Sequence, residues 1–110
     1  LVERGGADAE QFVDVLTASA FAGTAYGAYG PMIARRAYRP AGFAVDLGIK
    51  DIMLTQAAAA TVKLRLPMAS TLRGLFDAAA SDPSLADGDW SIVAEVIRGS
   101  HGDGGTLEST

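Results

Sequence analysis

The chain contains no cysteine. That excludes disulfides and thiolate zinc sites, and it suits a reducing compartment, so a cytoplasmic location is expected. Basic runs interleaved with aromatics are also missing, and the formal charge is -4, which together argue against nucleic acid as a partner. No stretch approaches about 18 consecutive apolar residues, so no membrane span is expected. The N-terminal "LVERGGADAE" has neither a starting Met nor the basic-then-apolar design of a secretion signal, which reads as a piece of a longer protein. Strand signals are scarce and no internal repeat is visible. What is present is 110 residues, 49% hydrophobic and 20% charged, enough for one packed domain and not for more.

Nearly every segment reads as helix. Asp8 followed by Gln11 has capping-box spacing, and Phe12, Val15 and Leu16 then share one face. "SAFAGTAYGAYGP" is rich in small residues, with Gly23, Gly27 and Gly30 near one side. It reads either as a helix packed closely on a neighbour or as a weak helix, with a break at Pro31 in both cases. Pro31 then opens a short helix, "PMIARRAY". After the connector "RPAG" a long helix runs from about Phe43 to Val62 and ends at "KLRLP". "MASTLRGLFDAAAS" follows with Met68, Leu72, Leu75 and Phe76 at helical spacing. "DPSLADGD" is a loop, and Asp89 caps "WSIVAEVIRG", whose Trp90, Val93 and Ile97 form an apolar stripe. The expected architecture is an all-α bundle of five to six helices around a long central helix over residues 1–99, with 100–110 a disordered tail.

The long helix holds the chemistry of interest. At about 100° per residue, Val45, Ile49 and Ile52 gather on a core face, and Leu47 and Leu54 form a second apolar strip roughly opposite. Asp46 and Lys50 flank that strip on one edge, Asp51 and Thr55 on the other. A helix apolar on two sides is central or shared with a partner. The Asp46–Lys50 spacing is also that of an ordinary exposed helix pair, worth about 0.2–0.5 kcal/mol. Elsewhere the residues suggest no site. His101, the only histidine, lies in a Gly-rich tail. "ADGDW" has too few oxygens for a calcium loop, and no metal site is expected. Tyr26, Tyr29 and Tyr38 read as packed tyrosines with hydroxyls at the surface.

As a pattern, Phe43 and, seven positions later, "KD" followed by "IMLTQAAA" resemble the C-terminal domain of the β-hydroxyacid dehydrogenase family. That family includes 3-hydroxyisobutyrate dehydrogenase, with 6-phosphogluconate dehydrogenase a more distant relative. Its signature there is Lys-Asp-Leu-Gly-x-Ala-x-Asp. Lys50 and Asp51 agree and Ile52 is a mild change. Met53, Thr55 and Ala57 replace the Gly, the Ala and the final Asp. The layout of "PMIARRAYRPAGFAVDLGIKD", "LRLPMASTLRGLFDAAASD" and "DGDWSIVAEVIRG" extends the resemblance over about residues 3 to 99.

The resemblance implies an N-terminal Rossmann domain binding NAD or NADP, outside this chain, and a helical C-terminal domain that closes the active-site cleft and carries subunit contacts in a homo-oligomer. The substrate would be a small 3-hydroxy acid or its semialdehyde. Lys50 would reach the cofactor, and Phe43 and Asp51 would shape the substrate pocket. The chain has no Gly-x-Gly-x-x-Gly turn after a strand and no segment with the family's catalytic Lys, so it is expected to hold no catalytic residue, to bind no cofactor alone and to be inert alone. A self-association module without catalytic role is the alternative from a different class. A part of an imine reductase-like relative is another.

Overall fold

The computed structural model describes residues 1–99. The expected tail and His101 lie outside them. The described residues are all-α, with five α-helices, one 3₁₀ turn and no strand. They divide into two compact units, Leu1–Tyr38 and the chain from Arg39 onward.

The first unit is a helical hairpin. α1 spans Ala9–Thr17, and Asp8 caps it by accepting from the Glu10 and Gln11 N–H groups at 2.8 and 3.2 Å. α2 spans Thr24–Arg35 and continues through Pro31, where the sequence suggested a break. Proline fixes a helical φ and removes only one intrahelical bond, so packing on α1 can carry the helix past it at a cost of about 3 kcal/mol. The close approach is at Gly30, where a Cβ would stand 2.9 Å from Val13 Cγ1; Gly27 faces open space. Arg36 in the left-handed region (φ 54°) ends α2, with the Ala37 N–H reaching the Met32 carbonyl at 2.9 Å. Of the face shared by Phe12, Val15 and Leu16, the first two are exposed and Leu16 is half-buried; no residue of α1 is buried. Tyr38 is 3% exposed, against the expectation of a surface hydroxyl.

The second unit is built on α3 (Val45–Thr61) and α4 (Pro67–Ser81), followed by a 3₁₀ turn at Trp90–Ile92 and by α5 (Val93–Gly99). α3 ends with Lys63 at φ 58° and the Leu64 N–H on the Ala59 carbonyl. Pro67 then opens α4 at a position where no N–H is needed. Val45, Gly48 and Ala59 are the buried residues of α3, while Ile49 and Ile52 are half-buried and Leu47 and Leu54 exposed. Small residues take the central places because α4 comes so near: a Cβ on Gly48 would stand 2.6 Å from Phe76 Cε1. On α4, Phe76 and Ala79 are buried and Met68 and Leu72 are exposed. The stripe expected of the last helix is displaced by the 3₁₀ turn, which buries Ile92 and leaves Ile97 exposed. Burying a side chain of that size is worth about 1.5–3 kcal/mol. Gly88 is required beneath Ile92, whose Cδ1 would meet a Cβ at 2.6 Å.

Candidate functional site

The connector before α3 and the loop before the 3₁₀ turn are tied together by two acidic residues. Arg39 Nη2 donates to Asp87 Oδ1 at 2.7 Å and to the Ser84 carbonyl at 2.6 Å. Asp89, 1% exposed, makes the inner tie. Its Oδ1 accepts from the Gly42 and Phe43 N–H groups at 3.1 and 3.0 Å. Its Oδ2 accepts from the Ser91 N–H and hydroxyl at 3.0 and 2.6 Å. Burial alone would push this carboxyl up, but the Ser91 hydroxyl and N–H and the Phe43 and Gly42 N–H groups outweigh it and hold it below the usual carboxylate range. One backbone bond between Trp90 and Phe43 completes the junction: the Trp90 N–H donates to the Phe43 carbonyl at 2.6 Å.

The two aromatic rings follow their backbones. Phe43, half-buried, sets its ring edge-on to Trp90, with centroids 5.5 Å apart at 75°. Trp90 also lies 6.1 Å from the buried Phe76 ring. The indole then forms part of a groove of about 350 Å³ between α3 and the start of α4. Asp51 and Thr55 line it from α3, with Gly48 and Ile52 beneath them, and Met68 and Leu72 line it from α4. Its walls are predominantly apolar, and Asp51 is the one ionisable residue among those lining it.

Of the residues singled out in the sequence, Asp51 is therefore at the groove and Phe43 stands behind its Trp90 wall. Lys50 is exposed on the neighbouring position of α3 and does not line the groove. It has no hydrogen bond or ion pair among the described residues. The Asp46–Lys50 pair does not form, because Asp46 Oδ1 instead accepts from the Leu47 N–H at 2.9 Å in the first turn of α3. Asp87 and Asp89 are committed to Arg39 and to backbone and hydroxyl donors, and no cluster of potential metal ligands is found among the described residues. The sequence identified Asp89 as a cap, which it is; its hold on a connector more than forty residues away had no local signal. Trp90 as a groove wall was missed for the same reason.

No helix among the described residues is long and apolar enough to cross a membrane. Residues 1–97 match the family described as NAD-binding of NADP-dependent 3-hydroxyisobutyrate dehydrogenase. The chain is similar to an uncharacterized oxidoreductase, YfjR, of Bacillus subtilis strain 168, with 32% identity over 98 residues, which is 89% of this chain. It spans only 34% of that relative's length. The chain belongs to the 3-hydroxyisobutyrate dehydrogenase NAD-binding family.

Proposed function

We propose that this chain is the helical C-terminal domain of an NAD(P)-dependent oxidoreductase that interconverts a small 3-hydroxy acid and its semialdehyde. In this reading α3 forms one wall of the active-site cleft. NAD or NADP, held chiefly by a Rossmann domain elsewhere in the parent protein, would supply or accept the hydride when bound. Lys50 offers the cofactor a cation: a long, flexible ammonium suits a phosphate or polar group across a domain gap. Its exposure and its lack of a partner among the described residues leave it available for that contact. Asp51 and Phe43 shape the substrate pocket, Asp51 directly and Phe43 through Trp90. The observation that carries the reading is the groove itself, where Asp51 faces an apolar wall next to an uncommitted lysine. A concave apolar site with few polar groups is the usual form of a small-molecule pocket.

The test is steady-state kinetics on the full-length gene product with NAD or NADP and a series of small 3-hydroxy acids. Phe43→Ala and Asp51→Asn are expected to raise the KM of the acid. Unchanged KM in both would overturn the assignment of the pocket.

A second reading, homo-oligomer formation, is favoured by the apolar strip on α3, where Leu47 and Leu54 are 46% and 59% exposed. A pure self-association module would tolerate loss of Lys50 and Asp51 and fail on Leu54→Asp, read as mass by light scattering. A cleft domain would lose catalysis first.

A further inference from the structure

Resting on the pocket reading above, the geometry points to Asp89 as a positioning residue that fixes the Phe43–Trp90 pair against the groove. The two carboxylate oxygens divide the work. Oδ1 takes the connector, through the Gly42 and Phe43 N–H groups, and Oδ2 takes the turn, through the Ser91 N–H and hydroxyl. The Trp90 N–H returns to the Phe43 carbonyl. Phe43 is thus held by both its backbone groups, and Trp90 lies between two residues that share one carboxylate. Asp89 sets the two backbones, and the edge-to-face contact of the rings and the packing of Trp90 beside Phe76 seat the side chains on them. Ala44, which caps α3, pairs with Asp89 in an isolated bridge. The same junction therefore sets where α3 begins, and hence the rotational position of Asp51 and Lys50 on it.

The chemistry requires a carboxylate. Four donors converge on it, and an ionised Asp offers about four lone-pair sites and no proton. Asparagine in its place would turn an NH₂ toward one of the two donor pairs. None of the four donors carries a full charge, so a charge is buried here on hydrogen bonds alone, an expensive arrangement. An apolar core residue could fill this position at lower cost; it could not tie a connector and a turn to one point.

The first readout is the fluorescence of Trp90, the only tryptophan of the 110-residue chain. Asp89→Asn that keeps its far-ultraviolet circular dichroism is expected to shift Trp90 emission to the red and to weaken the near-ultraviolet aromatic signal. The second is kinetics of the full-length gene product. There Asp89→Asn is expected to raise the KM for the 3-hydroxy acid about tenfold. A merely structural defect would reduce the amount of folded enzyme and leave KM where it was. Ser91→Ala removes one bond to Oδ2 and spares the connector. It should move both readouts in the same direction by less, and it takes over the test if Asp89→Asn does not fold. Unchanged emission in a folded variant overturns the assignment, as does altered emission with unchanged KM. The pocket reading fails separately, if Phe43→Ala leaves KM unchanged whatever Asp89 does.

Discussion

Two glycines in neighbouring helices offer a controlled comparison. Gly48 sits on the buried side of α3, where a Cβ would stand 2.6 Å from Phe76 Cε1, 3.2 Å from Cδ1 and 3.5 Å from Cζ. Gly74 sits in the interior of α4, where a Cβ would meet nothing within 4 Å. Each substitution by alanine gains the same helix propensity, about 0.8–1 kcal/mol. Only Gly48→Ala must also displace a ring, and Phe76 is 4% exposed and backed by Trp90. Overpacking of this kind costs about 1–3 kcal/mol. Gly74→Ala should therefore stabilise the chain, and Gly48→Ala should fall below it by about 1–3 kcal/mol because the propensity terms cancel in the difference. In thermal unfolding that gap is at least about 4 °C for a chain of this size. Phe76→Leu in the Gly48→Ala background should recover part of the loss, a coupling that a double-mutant cycle measures. Equal stabilisation by the two alanines would refute the packing of α3 on α4 described above.

Asp89 gives a pH signature. Its folded pKa lies below the ordinary value, so its contribution is full above the unfolded carboxylate range and is lost as pH falls through about 4 toward the folded value. Asp89→Asn should be less stable than the parent at pH 7, and urea titrations should show the gap narrowing below pH of about 4. The Arg39–Asp87 pair is solvent-exposed at both ends, so Asp87→Asn should cost less than about 1 kcal/mol in denaturant unfolding, and less still in high salt. Pro31→Ala restores an N–H inside α2 and should raise the unfolding midpoint, by up to about 3 kcal/mol in stability.

Much of the fold was legible in sequence because its signals are local. Asp8 and Asp89 mark helix starts with the residue type that such positions require, and both stand where those signals put them. The break expected at Pro31 failed because propensity is a weak term beside the packing that Gly30 permits against Val13. Angular reading of α3 identified Val45 as core and left Leu47 and Leu54 on another side, as found, yet it passed over Gly48 and Ala59. Apolar size marks a face, whereas proximity of a second helix selects the small residues on it. At the candidate site the limitation was different. Phe43, Lys50 and Asp51 stood out through a pattern, but Trp90 and the second role of Asp89 depend on two segments meeting that are more than forty residues apart. Nothing within either segment encodes that meeting.

The most direct test of α3 as a cleft wall is cofactor titration. Full-length gene product and its Lys50→Ala variant would be titrated with NADH and NADPH, following nicotinamide fluorescence. Because Lys50 has no partner among the described residues, its loss should leave stability within about 0.5 kcal/mol, so any change in affinity reports the contact itself. A cofactor contact by Lys50 requires a Kd weakened about tenfold in the variant, the loss of roughly 1.4 kcal/mol of binding. An unchanged Kd in the folded variant would contradict it and return Lys50 to an ordinary helix surface.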